Sequence, residues 1–259
     1  MEIFLQPDTW GALVTLTFLE IVLGIDNIIF ISIAANKLPE NQQKKATNIG
    51  LFLAMILRIA LLFGISLLIA MNSPFFNIDL SWLNAGVTGQ ALILFAGGIF
   101  LLYKSTKEIH HKVEGHLEDE TDGKPKKGYT LTQAIIQITL INIVFSFDSI
   151  LTAVGMTNGI EGAMIIMITS VVLSMVIMML FANPVGKFVS KHPTIQMLGL
   201  SFLILIGFML IAEGAHLSHA TLFGEEIGSI PKAYLYFAIT FSLVVEMLNM
   251  KMRGNSKKH

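Results

Sequence analysis

The sequence predicts an all-α polytopic membrane protein: seven transmembrane helices, built as a 3+3 inverted-topology repeat with a terminal helix added. Three observations predict it. Of 259 residues, 54% are hydrophobic and only 14% charged, where a typical soluble domain is about 25% charged; the mean hydropathy is +0.71. Seven apolar stretches qualify as membrane spans, for which about 20 residues are needed. One polar motif also recurs roughly half a chain later. Residues 1–259 read as a single transmembrane domain.

The first span covers about 10–35. The preceding MEIFLQPDTW has no Lys or Arg, and the apolar run after it is longer than a signal-peptide core, so no cleavable signal is expected. The second span, 47–71, carries Arg58 near its middle (LAMILRIALLFG). The third, 87–103, is short, and its Gly97-Gly98 pair predicts close helix packing, because small residues let backbones approach in a bilayer. Residues 10–103 form the first three-helix repeat. Residues 104–130 read as a charged cytoplasmic loop; a metal-sensing role for its His110, His111 and His116 is the alternative to a solvated linker. Spans at 131–155, 160–182 and 195–213 form the second repeat, and 232–250 is the seventh helix, with Glu246 near its end.

The connectors carry the orientation. The first loop holds Lys37, Lys44 and Lys45; the third holds Lys104, Lys107, Lys112, Lys124, Lys126 and Lys127. Lys187 and Lys191 lie in the fifth loop, and Lys251, Arg253, Lys257 and Lys258 at the C-terminus. The alternate side has only Lys232. The positive-inside rule places the basic side in the cytoplasm, so the N-terminus is expected outside and the C-terminus inside.

Residues 20–35, EIVLGIDNIIFISIAA, echo residues 142–157, NIVFSFDSILTAVGMT, at an offset of 122. Asp26 then meets Asp148, Glu20 meets Asn142, Gly24 meets Ser146 and Asn27 meets Ser149. A weaker match joins the third and sixth spans. Each half has three spans, so the halves must cross in opposite directions, an architecture that puts a substrate near the midplane at the repeat interface.

Glu20, Gly24 and Asn27 fall at i, i+4 and i+7, one narrow helical stripe, and Asn142, Ser146 and Ser149 repeat it. Asp26 and Asp148 lie about 120° from the first member on an ideal helix. Either the first helix unwinds at Gly24, or intact helices share ligands between spans. Charges at this depth cost a few kcal/mol each and normally pair, face the bundle interior or line an ion path. The plain structural alternative is an ion pair of Arg58 with Asp26 or Asp148. A cation site accounts for Glu20, Asp26 and Asp148 together. With no cysteine in the chain, thiolate ligands and disulfides are excluded. Carboxylate, amide and hydroxyl oxygens suit a hard divalent ion. Glu213 sits at the outer end of the sixth span, a candidate for an exit vestibule.

The stretches LEIVLGIDNIIF, GGIFLLYKSTKEIHH, VFSFDSILTAVG and HPTIQMLGLSFLILIGFMLIAEG resemble the TerC family of integral membrane proteins, and the resemblance covers nearly the whole chain. It implies placement in the bacterial inner membrane, a link to the lysine-exporter superfamily, and divalent metal handling, chiefly manganese efflux. The family's acidic motifs fall on Glu20, Asp26 and Asn27, and on Asp148 and Ser149. Asn142 departs from it: related sequences often have Asp there.

The expected function is export of Mn2+ or another hard divalent cation by alternating access, coupled to protons. The metal ligands would be Glu20, Asp26, Asn27, Asn142, Asp148 and Ser149, supported by Arg58, Gly24, Ser146 and Glu213. The metal is substrate, and no permanently bound cofactor is expected. Two other readings stay open: an accessory membrane protein that hands metal to secreted enzymes or scaffolds a complex, and a cationic amino-acid exporter in which Arg58 holds the substrate carboxylate. An enzyme is not expected, since no nucleophile–base set or phosphate loop appears. The expected partners are the lipid bilayer, a divalent metal ion and protons, not nucleic acid, and no oligomeric state follows from the sequence.

Overall fold

The computed structural model describes residues 7–64, 73–118, 130–157, 160 and 162–256. Within its helices, the side chains at 7–8, 23, 25–27, 115–118, 148 and 254–256 fall outside that description. Asp26, Asn27, His116 and Asp148 are among them, and Lys124, Lys126, Lys127, Lys257 and Lys258 lie outside the described residues altogether.

Seven helices are described: α1 (Pro7–Ala35), α2 (Glu40–Phe63), α3 (Gly89–Glu118), α4 (Leu131–Thr157), α5 (Ala163–Lys191), α6 (Pro193–Leu217) and α7 (Lys232–Ser256). Six of them, α2 to α7, are long and apolar enough to cross a membrane; the shorter apolar stretch Thr9–Val22 belongs to α1. Helices dominate because a backbone in hydrocarbon must satisfy its own hydrogen bonds. The fold is thus an all-α polytopic membrane protein with one addition, a small sheet.

Two compact units divide the chain. The first joins residues 1–70 with 125–191 and contains α1, α2, α4 and α5. Here α1 packs mainly on α5, and α2 mainly on α4. A side chain at Gly24 would run into Met178, and one at Gly50 into Ile138. Gly24 is therefore a packing point in an unbroken helix: α1 runs as α-helix from Pro7 to Ala35 with no unwinding at Gly24. Pro184 lies inside α5, where it removes one helical donor.

The second unit joins residues 71–124 with 192–259. Its main contact is α3 on α6. Gly98 and Gly207 face each other there: a Cβ on Gly98 would lie 2.7 Å from the Gly207 carbonyl oxygen, and one on Gly207 3.0 Å from that of Gly98. The close packing expected from Gly97-Gly98 is realised at Gly98. Helix α3 continues through Glu118, so residues 104–118, whose charge reads as a loop, are helical. Ser105 and Glu108 are buried on that extension, and Lys112 Nζ donates to Gln196 Oε1 on α6.

The sheet of this unit has four antiparallel strands in the order β1 (Pro74–Asp79), β2 (Leu83–Thr88), β3 (Thr221–Leu222) and β4 (Glu225–Glu226). Residues 87–88, assigned above to the third span, end β2 instead. Because β2 pairs with β3, the second and sixth connections lie on the same side, the relation the lysine distribution requires of them.

Candidate metal centre

Glu20 on α1, Arg58 on α2 and Ser146 on α4 meet inside the first unit. Each lies within an apolar stretch of its helix, where a buried polar group is satisfied by another polar group and not by water. Arg58 Nη1 pairs with Glu20 Oε2, and the two side chains are only 3% and 2% exposed. Arg58 Nε donates to Ser146 Oγ at 2.9 Å, and Ser146 Oγ donates to the carbonyl of Asn142 one turn earlier. The hydroxyl thus relays the guanidinium's charge onto the α4 backbone. Among the described residues the carboxylate that pairs with Arg58 is Glu20; the side chains of Asp26 and Asp148, the partners expected from the sequence, lie outside that description. Which carboxylate reaches Arg58 depends on how α1 and α2 pack, information that helical spacing within α1 does not hold.

The α4 stripe is buried as its spacing predicts: Asn142, Ser146 and Ser149 are all shielded from solvent. Ser149 Oγ donates to the Ser146 carbonyl at 3.1 Å. Asn142 Nδ2 donates to the Ile138 carbonyl at 3.0 Å, whereas its Oδ1 is buried and has no hydrogen-bond partner among the described residues. An orphaned buried amide oxygen costs on the order of 1–3 kcal/mol, and it is a ready ligand for a hard cation.

Ser170 and Ser174 on α5 and Thr47 on α2 are also buried in this unit. Their signal in the sequence is a pair of serines four residues apart within an otherwise apolar SVVLSM. Both bond back to their own helix, Ser170 Oγ to Met167 at 2.8 Å and Ser174 Oγ to Val171 at 3.0 Å.

Where α1 ends and α2 begins, a cavity of about 310 Å³ is lined by Ser32, Asn36, Glu40, Lys44, Asn183 and Lys187, among others. Ser32 is twelve residues beyond Glu20 on the same helix, about 18 Å at 1.5 Å per residue. Asp26 and Asn27 occupy the stretch between.

Glu213 belongs to α6 in the second unit and is half-buried. Among the described residues, no group of three or more His, Asp or Glu side chains is placed to hold a metal ion. His110 and Glu114 form an exposed pair, Nδ1 to Oε2 at 3.1 Å, on the helical extension of α3.

A family model described as the integral membrane protein TerC family matches residues 5–259. The inner membrane protein YoaE of Escherichia coli K12 is 42% identical over 260 residues, spanning the whole of this chain but 46% of its own length. The chain thus covers about half of that relative. It covers nearly all of two others: an uncharacterised-family protein of Haemophilus influenzae, 42% identical over 96% of each chain, and the inner membrane protein YgdQ of Escherichia coli K12, 43% identical over 95% of this chain and 94% of its own. No solved structure matches the chain significantly.

Proposed function

We propose that this chain, which belongs to the TerC family of integral membrane proteins, exports a divalent metal ion, Mn2+ first among them, from the bacterial cytoplasm by alternating access in exchange for protons. The observation that carries the proposal is the Glu20–Arg58–Ser146 network, a charged cluster buried where three otherwise apolar helices meet. A buried ion pair adds little net stability over an apolar replacement, so its placement beside a duplicated acidic motif argues for function.

The donor set supports a divalent cargo. Beside the Arg58–Glu20 pair, the repeated motif supplies two further carboxylates, Asp26 and Asp148, whose side chains lie outside the described residues, and carboxylate oxygens suit a hard divalent ion. The unpartnered Oδ1 of Asn142 adds a neutral oxygen ligand, in keeping with the substitution of Asn for the Asp often found there. Metal and proton compete for the same carboxylate oxygens, so protonation from the outer side releases the ion. The cavity beside Ser32 and Asn36, on the lysine-bearing side, is the cytoplasmic mouth of this route, with the N-terminus outside and the C-terminus inside.

The packing pattern supports an inverted repeat. Exchanging the halves maps α1 on α5 into α4 on α2, and α3 on α6 into itself, and these are the dominant helix pairs. The facing glycines 98 and 207 lie on the self-mapped pair. The cationic amino-acid reading is weakened, because Arg58, its substrate-carboxylate anchor, already holds Glu20.

Flux into proteoliposomes tests the proposal. Purified protein is expected to move Mn2+ saturably, faster with an opposing pH gradient, and Asp26→Asn and Asp148→Asn are expected to abolish it and raise cell manganese under manganese stress. Lysine flux in place of Mn2+ flux would establish the amino-acid reading. No flux of any substrate, with manganese content unchanged in the Asn variants, would establish the accessory one.

A further inference from the structure

The four-stranded sheet is amphipathic, and its apolar face is only partly covered by the described residues: Val87 is buried, whereas Phe76 and Leu222 are exposed. Side chains of directly paired residues share a face, and faces alternate along a strand. The register pairs Phe76 with Val87, Ile78 with Ala85, and Leu83 with Leu222. These six share one face, with Glu225, the partner of Leu222, at its β4 edge. The opposite face carries Asn77, Asp79, Asn84, Thr221 and Glu226. Phe76 is 54% exposed, and Trp82 and Phe223, in contact at the sheet's end with ring centroids 6.4 Å apart, are 46% and 78% exposed.

Covalent continuity fixes what lies nearby. Strand β2 ends at Thr88, and α3 begins at the next residue. Helix α6 ends at Leu217, with β3 starting at Thr221. The sheet is thus held at the membrane ends of two spanning helices, at headgroup depth. Trp and Phe with one apolar side favour that boundary, and an element with segregated apolar and polar faces lies in its plane. The strands carry no Lys or Arg and three acidic residues, Asp79, Glu225 and Glu226. Attraction to anionic lipid is therefore absent, and the interaction is with the acyl-headgroup boundary itself.

We propose that this sheet is an interfacial anchor, with its Phe76–Ile78–Leu83–Leu222 face and the Trp82–Phe223 pair lying in the membrane boundary at that end of the helices, which is the outer leaflet under the orientation proposed above, and its Asn77–Asp79–Glu226 face in water. It holds the α3 and α6 ends at a fixed depth.

The chain has no cysteine, so single-cysteine spin labels test this directly. Phe76→Cys, Asn77→Cys, Ile78→Cys and Asp79→Cys are each labelled in the full chain, reconstituted in phosphatidylcholine vesicles, and their collisions with oxygen and with a water-soluble nickel chelate measured. The expected result is a period of two: oxygen dominates at 76 and 78, nickel at 77 and 79. Equal nickel access at all four positions would overturn the proposal, leaving the sheet free in water. Dipolar broadening at 76 and 78, with both reagents excluded, would overturn it by assigning the face to a second copy of the chain. The four labelled side chains lie in β1 and not in a spanning helix, and the far-UV circular dichroism of each labelled protein checks that the helices are formed.

Discussion

The two units solve helix association in opposite ways. In the first, α1, α2 and α4 are joined through a buried Glu–Arg pair and hydroxyl groups in mid-helix. In the second, α3 and α6 meet through glycine backbone, over stretches (91–103 and 197–212) that hold no charged residue. Lipid tails are as apolar as Leu, so neither interface gains from hydrophobic burial between helices. Close van der Waals approach suffices for the second. The first carries polar groups that packing alone does not require. The difference is one of placement: the first unit carries a buried ion pair in mid-helix, whereas the α3–α6 contact at Gly98 and Gly207 is made of backbone and apolar side chains.

The sharpest way to break this contrast is to orphan one member of the pair. Arg58→Leu leaves Glu20 buried and uncompensated, and breaking a buried pair costs about 3–5 kcal/mol. The thermal midpoint of the purified protein in detergent should fall steeply. The double variant Glu20→Gln, Arg58→Leu removes both charges and should recover most of that stability while leaving Mn2+ flux low. Recovery of flux along with stability would make the pair purely structural.

In the second unit the corresponding perturbation is a methyl group. Gly98→Ala places Cβ 2.7 Å from the Gly207 carbonyl oxygen. That atom is backbone, so the helices must separate, at about 1–3 kcal/mol, the usual cost of overpacking. Gly24→Ala in the first unit meets the flexible Met178 side chain instead, and should cost less. Unfolding midpoints of the two variants compare backbone-limited with side-chain-limited packing. Equal losses would show that the contact at Met178 is as rigid as the one at Gly207.

How much of this was legible in the sequence follows the range of the interactions. The spans are local: an apolar run long enough to cross needs no partner to be recognised, and the helices fall close to their expected positions. Burial of Asn142, Ser146 and Ser149 was likewise readable from i, i+4, i+7 spacing. The partner of Arg58 was not, because it is set by which faces of α1, α2 and α4 meet. The sheet was hidden for the same reason. Leu83 pairs with Leu222 across most of the chain, and two-residue strands such as Thr221–Leu222 have no periodicity to detect. Residues 104–118 misled through composition: their charges resemble a loop, yet Ser105 and Glu108 are buried and Lys112 reaches Gln196.

A smaller perturbation sharpens the functional side of the contrast. Asn142→Leu removes a buried acceptor that has no partner among the described residues along with one local hydrogen bond to Ile138. The two losses nearly offset, so stability should change by no more than about 1 kcal/mol. Metal affinity should fall if Oδ1 is a ligand, which isothermal titration with Mn2+ would detect as a weaker Kd. Unchanged affinity would remove Asn142 from the site.

The smallest effect is expected outside both interfaces. His110 and Glu114 pair on the exposed extension of α3, with side chains 65% and 59% accessible. Exposed pairs spaced i, i+4 contribute about 0.3–0.5 kcal/mol, and water already solvates both partners. His110→Ala should therefore leave the melting midpoint and the Mn2+ transport rate nearly unchanged. Its value lies in the metal dependence: if the histidines of 104–130 sense metal, His110→Ala, His111→Ala together would shift the Mn2+ concentration at which transport half-saturates, while a solvated helical extension predicts no shift. A shift would move part of the metal chemistry from the buried pair of the first unit to the surface of the second.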